Sequence, residues 1–235
     1  MRYLFSGPVS QLGFLGNYFM ENKIPPAYYM IYLVVAFLVV AAAAYLLGSI
    51  NTAIVISTKK YGHDIRGYGS GNAGMTNMFR TFGKAAGFLT LGGDVLKALV
   101  SVVLGFCLMG GPGQYVAGFF CMAGHVFPVY YRFKGGKGVI VSAVTVLLID
   151  PLVFAALALI FGLMFAATQI ISASSITAAF FYPMVVYAFN GNAPNILYIV
   201  FSIFMSFSVI AMHKDNIHRL LNKTEKKFTI HKDKK

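Results

Sequence analysis

Apolar residues fall in long unbroken runs separated by short polar stretches. The runs occupy residues 29–57, 85–109, 114–130, 138–149, 152–170, 174–189 and 195–212. In a stretch such as 31–47 the apolar residues cover every face, so neither a helix-period stripe nor a strand-period alternation marks a wet side. This predicts helices with apolar material all round them. It excludes a membrane β-barrel, whose strands alternate apolar and polar positions. Most runs reach the length a bilayer crossing needs. Run 138–149, at about 1.5 Å per residue, is short and needs its flanks to complete a crossing. Asp150-Pro151 and Asn190-Gly191-Asn192-Ala193-Pro194 punctuate the runs as turns. The pattern predicts an all-α integral membrane protein with seven transmembrane helices. Its single membrane-embedded domain covers 29–222, between an N-terminal extension, 1–28, and a basic tail, 223–235.

Composition agrees. The 235 residues are 58% hydrophobic and 11% charged, with a mean hydropathy of +0.72, where soluble domains carry roughly 25% charged residues. The 62 residues from Pro151 to Met212 contain no Asp, Glu, Lys or Arg. A water-soluble surface and an intrinsically disordered chain are both excluded. Cys107 and Cys121 lie in apolar runs and form neither a disulfide framework nor a metal site.

Charge placement adds orientation. The net +12 resides in three segments: 58–84 with +4, 131–137 with +3, and 213–235 with +5. With seven alternating spans all three fall on one side, and the connections on the other side carry no lysine or arginine. The positive-inside rule then puts the N-terminus outside and the C-terminus in the cytoplasm. Residues 1–28 lack the compact apolar core and cleavage site of a secretory signal and read as an outer-face extension. The tail reads as a solvated basic segment near anionic lipid.

The basic segments hold more than topology requires. Residues 64–77 interleave Gly67, Gly69, Gly71 and Gly74 with Arg66, Ser70, Asn72, Thr76 and Asn77. Glycines let successive backbone N–H groups converge on an anion, so the segment reads as a phosphate cradle or a flexible loop. Gly69, Gly71 and Gly74 match G-x-G-x-x-G, but the dinucleotide fingerprint needs a preceding strand, and a membrane span precedes this one. Lys134-Gly135-Gly136-Lys137-Gly138 offers two ammonium groups and flexible backbone at the membrane surface, as a phosphate site or a charged turn. His125, on an apolar stretch before it, reads as helix packing or catalysis. Asp94 and Lys97 lie three apart, on one helix face inside a span. They read as a self-neutralising pair or as part of a polar cavity. His213 to Asn222 begins where the last run ends and places His213 and Asn216 on one helix face. Ser174-Ser175 and Gly48-Ser49 lie at the same side of the membrane. A single electropositive site could draw on all of these except the intramembrane pair, and it would bind phosphate, more than one, at the lipid boundary.

Gly48-Ser49-Ile50, Asp64-Ile65-Arg66 through Asn77, Arg80-Thr81-x-Gly83-Lys84, Asp94-x-x-Lys97, Gly124-His125-x-Phe127-Pro128, Phe133 to Gly138, Ser172-x-Ser174-Ser175-Ile176 and His213-x-x-Asn216-Ile217-x-Arg219-Leu220-Leu221 together resemble the bacterial acyl-phosphate:glycerol-3-phosphate acyltransferase family. The resemblance runs from about Ala44 to Phe228. Asn51, Ala98, Lys214 and Lys223 depart from the family's usual proline, glycine, arginine and glycine.

The resemblance implies transfer of a fatty acyl group from acyl phosphate to glycerol 3-phosphate. The products are lysophosphatidic acid and phosphate, in the first acylation of phospholipid synthesis. It implies a multi-pass protein of the bacterial cytoplasmic membrane with its site on the cytoplasmic side, and no cofactor. Its partners are the two substrates and membrane lipid, without nucleic acid or an obligate protein partner. On this reading Ser49, Arg66, Lys137 and His213 are catalytic. Gly69, Ser70, Gly71, Asn72, Gly74, Thr76, Asn77, Gly135, Gly136, Ser174, Ser175 and Asn216 bind substrate. Substrate phosphate or His213 takes the hydroxyl proton. The rival class is a transporter or flippase for organic phosphates or anionic lipids, which predicts polar residues across the bilayer midplane.

Overall fold

A computed structural model describes residues 13–14, 16–18, 21–23, 25–190 and 195–228. Most of the N-terminal extension, four residues of the turn at 190–194, and 229–235 lie outside the described residues.

Helix α1, Pro26–Ser49, opens on proline, where the missing N–H costs nothing. It stops at Ser49 because Ile50 and Asn51 are extended. Asn51 then caps α2, Thr52–Tyr61, by accepting from the Ile54 N–H at 3.1 Å. The first run of 29–57 is therefore two helices. Apolar residues on both sides of the break conceal it in the sequence. Gly62, at φ 72°, ends α2, and a 3₁₀ turn, Ile65–Gly67, follows.

Helix α3, Met75–Val126, spans 52 residues with non-helical backbone at Gly83 and Gly110. At Gly110 (φ 64°, ψ −148°) the chain reverses. A Cβ on Gly105 would come within 2.2 Å of the Gly113 carbonyl oxygen, and Lys97 lies beside His125. Such neighbours are impossible along a straight helix. The two arms, expected as 85–109 and 114–130, form an antiparallel hairpin. Its start differs from expectation: Met75 to Phe82 is helical, where sequence reading has a loop to 84.

After a 3₁₀ turn, Val129–Tyr131, come α4, Val139–Ile149, and α5, Pro151–Thr168. Asp150 caps α5 by accepting from the Leu152 and Val153 N–H groups. Then follow α6, Ile171–Asn190, α7, Ile196–Met212, and α8, Lys214–Leu221, which bends away from α7 by 61°. The most extensively packed pairs are α1 with α3, α3 with α4, α5 with α6, and α6 with α7, and α2 with α3 and α4 with α5 also pack. Among the described residues, four helical stretches are long and apolar enough to cross a bilayer. Phe207 is 70% exposed and Leu159 and Leu163 are each 63% exposed, as lipid-facing side chains are.

Candidate active site

The three basic segments meet at one end of the bundle. The Arg66 guanidinium donates to the carbonyls of Tyr131 (2.8 Å) and Lys134 (3.1 Å), joining the first segment to the second. Arg80 donates to the carbonyls of Lys226 (3.0 Å) and Lys227 (3.2 Å), joining the first to the third. The Lys137 ammonium donates to Asn216 Oδ1, joining the second to the third. Between them opens a cavity of about 1040 Å³. It has a polar rim and an apolar shaft walled by α4, α5, α6 and α7.

The loop before α3 is held by Asn77, which is 1% exposed. Its Oδ1 accepts from the Ser70 N–H at 3.0 Å, and its Nδ2 donates to the carbonyls of Tyr68 (2.9 Å), Asn72 (3.1 Å) and Ile65 (3.4 Å). Asn77 is thus a scaffold for the cradle, its polar atoms already taken by the loop. Gly69 and Gly71 turn through positive φ to bring the loop over the helix start. Met75 and Thr76 occupy the first turn of α3, where backbone N–H groups lack partners within a helix, and both line the cavity with Gly69, Ser70, Asn72 and Gly74. That arrangement suits an anion.

Lys137 reaches the rim because Gly135 and Gly136 clamp the preceding chain. Their N–H groups donate to the carbonyls of Val126 and His125, each at 3.1 Å. A Cβ on Gly136 would meet His125 Nε2 at 2.3 Å. These two glycines are packing residues whose donors are used, and neither lines the cavity. Burial lowers the Lys137 pKa to about 8, helped by the nearby Arg219 charge.

His213 stands just beyond the last residue of α7 and is 3% exposed. Its Nδ1 bonds the Val209 carbonyl at 2.7 Å, which places the proton there and leaves Nε2 as the acceptor. Burial, with Lys137 nearby, lowers its pKa to about 4. Asn216 Nδ2 and Ser172 Oγ donate to Glu225 Oε1 at 2.7 and 2.8 Å, and Arg219 Nε donates to Glu225 Oε2 at 2.6 Å. Burial alone would raise the Glu225 pKa, but these three hydrogen bonds and the Arg219 charge hold it below the usual range.

Of the residues read from sequence, Lys137, His213, Asn216, Ser175, Gly69, Ser70, Asn72, Gly74, Thr76 and Asn77 line one cavity. Ser49, Arg66, Gly71, Ser174, Gly135 and Gly136 do not. Ser49 is fully buried and its Oγ accepts from the Val129 N–H at 3.4 Å. Arg66 is occupied by Asp64, at 2.7 Å, and by the two carbonyls, and bonding to Arg66 lowers the Asp64 pKa. The Ser174 hydroxyl donates to the Ile170 carbonyl.

At the rim, Arg80, Ser172 and Arg219 belong to the motifs quoted above but carry no site role from sequence, and Glu225 is missed altogether. Glu225 carries a signal, as one of two carboxylates amid the tail lysines. The tail through Phe228 folds back onto the bundle, and the Phe228 N–H donates to the Gln169 carbonyl at 2.8 Å. Asp94 and His125 also line the cavity. Lys97 Nζ lies 2.8 Å from both Asp94 Oδ1 and His125 Nδ1 and donates to the Ile50 carbonyl at 3.0 Å.

A family model described as glycerol-3-phosphate acyltransferase matches residues 38–223. A glycerol-3-phosphate acyltransferase of Trichlorobacter lovleyi is 42% identical over 188 residues, which is 80% of this chain and 95% of that protein. One from Bacillus subtilis is 38% identical over 184 residues, 78% of this chain and 93% of that one. Among solved structures, the glycerol 3-phosphate form of PlsY (YgiH), an integral membrane glycerol 3-phosphate acyltransferase, superposes with a TM-score of 0.75 at 33% identity, covering 82% of this chain and 96% of that one. Its lysophosphatidic acid form gives 0.72 at 31% identity, covering 82% and 95%. On fold and sequence alike, the chain belongs to the glycerol-3-phosphate acyltransferase family.

Proposed function

We propose that this protein transfers a fatty acyl group from acyl phosphate to a hydroxyl of glycerol 3-phosphate at the cytoplasmic surface of a bacterial cytoplasmic membrane. It would cross that membrane seven times with its N-terminus outside. The observation that carries the reading is the two-part cavity, whose basic rim suits two phosphates and whose apolar shaft suits one alkyl chain. The solved relative with its glycerol 3-phosphate and lysophosphatidic acid forms supports it. The orientation rests on the three basic segments meeting at one end.

In the transfer, the hydroxyl oxygen of glycerol 3-phosphate attacks the acyl carbonyl carbon. An ester bond forms, the bond from that carbon to the phosphate oxygen breaks, and phosphate leaves with the electron pair. A mixed anhydride has a good leaving group, so the enzyme must neutralise two anions and align them. The loop 69–77 with the α3 N-terminus holds the acyl phosphate, and Lys137 spans the two phosphates. His213, Asn216 and Ser175 orient glycerol 3-phosphate. A histidine held neutral down to about pH 4 is a weak base and a good hydrogen-bond acceptor, so His213 orients the hydroxyl and the phosphate takes its proton. Arg66 acts at a distance, by bracing the loop. The shaft ends in side chains inside the bundle, which fits a chain-holding pocket better than a conduit.

Purified protein mixed with palmitoyl phosphate and glycerol 3-phosphate is expected to release phosphate and lysophosphatidic acid in equal amounts. Absence of both products would end the proposal. The protonated Lys137 is the active form, so kcat/KM is expected to fall as pH rises through about 8. In Lys137→Arg, any remaining activity should keep its level through that range, since guanidinium stays charged. A fall at the same pH in both proteins would assign the titration to another group.

A further inference from the structure

We infer that Tyr182, backed by an aromatic stack, is the floor of the apolar shaft and sets how many acyl carbons the enzyme can use. This rests on the acyl-transfer reading above and adds the residue that determines chain length.

The shaft runs down from the rim between four helices. On α5 the lining residues Phe165, Phe161, Leu157 and Phe154 form one face. On α6 the lining passes from Ser175 through Ala178 and Ala179 to Tyr182, and no α6 residue beyond Tyr182 lines the cavity. On α4 it stops at Val146 and on α7 at Met205. These three terminal residues are 4%, 3% and 1% exposed. Behind them Tyr182 meets Tyr198 edge-on, with ring centroids 6.3 Å apart. Tyr198 meets Tyr115 at 5.7 Å, and Tyr115 meets Phe201 at 5.2 Å. Tyr198, Tyr115 and Phe201 contribute nothing to the cavity wall. The stack closes the shaft within the bundle. Close-packed rings of this kind cannot give way to one more methylene without displacing several side chains.

Helix rise supplies the ruler. From Gly138 to Val146, from His213 to Met205 and from Phe165 to Phe154, the depth is about 12 to 16 Å at 1.5 Å per residue. A zigzag alkyl chain with bonds near 1.52 Å advances about 1.25 Å per carbon, so about ten to thirteen carbons fit below the rim. Each methylene lodged in the shaft is worth about fourfold in transition-state binding. A carbon past the floor gains nothing.

The test is kcat/KM for the purified full chain, with saturating glycerol 3-phosphate and a series of saturated acyl phosphates. For the wild type we expect a rise of about fourfold per carbon that stops at about eleven to fourteen carbons, the carbonyl carbon included. Tyr182→Ala opens about one helical turn, so its rise should continue for about four more carbons. Ala179→Phe lifts the floor by three residues, so its rise should stop about four carbons earlier. If Tyr182→Ala does not fold, the shortening in Ala179→Phe decides the matter alone. Wild-type and variant profiles that stop at the same length would overturn the floor while leaving acyl transfer intact. Wild-type protein inactive at every length would overturn the acyl-transfer reading itself, and this inference with it.

Discussion

Lys137→Ala is expected to lower kcat/KM for acyl transfer by about 10³-fold, equivalent to about 4 kcal/mol of transition-state stabilisation. Lys137 lines the cavity, and its ammonium bonds a partner across it, Asn216. Its removal takes away the cation between two phosphates and the hydrogen bond that orders Asn216. Removing a single preorganised donor from a site that stabilises developing charge costs about 10² to 10³, and the lost cation raises this further. Parallel thermal unfolding of the variant should match the wild type within a few degrees, because Lys137 anchors no core contact. Turnover within about tenfold of wild type would remove Lys137 from the mechanism.

Lys97→Met should damage stability instead. Lys97 is 6% exposed and Asp94 is 2% exposed, with their charged atoms 2.8 Å apart. Thr52 Oγ1 lies 3.2 Å from the same Asp94 oxygen, and His125 Nδ1 lies 3.7 Å from it. Deleting the lysine leaves a carboxylate in an apolar interior with neutral donors only. A cost of about 3 to 5 kcal/mol is expected. The double variant Asp94→Asn with Lys97→Met should recover much of it, and this non-additivity is the signature to seek in detergent unfolding curves. A single and a double variant equally unstable would mean that packing, and not charge, is what the site lacks.

The helical bundle and the convergence of the basic segments were legible in the sequence, since apolar length and lysine placement report directly on the solvent each segment prefers. The hairpin at Gly110 was legible for the same reason, with Gly110-Gly111-Pro112-Gly113 marking the reversal. The break after Ser49 was not. Ile50, Ala53 and Ile54 keep the run apolar, and Asn51 declares itself as a cap only when the Ile54 N–H and the Ala73 carbonyl are seen beside it. The site shows a similar division. Lys137, His213 and Asn216 stand out as polar groups at the membrane boundary, and the cavity collects them. Gly135 and Gly136 look from sequence like free donors, yet their N–H groups close a turn against α3. Asn77 and Arg66 look like ligands and are braces. Composition shows which residues can bond, but whether the partner is a substrate or the chain itself depends on contacts between segments far apart in sequence.

The one-turn spacing of Asp94 and Lys97 also bears on how the protein is made. Segments enter the bilayer from the translocon in order of synthesis, and a lone charge near a helix centre raises the cost of entry by about 2.5 to 3.5 kcal/mol. Because both ions ride on the same arm of α3, they can neutralise each other before His125, 28 residues later, has been synthesised. The pair therefore carries its own counterion into the lipid, and insertion of this segment need not wait for any other helix.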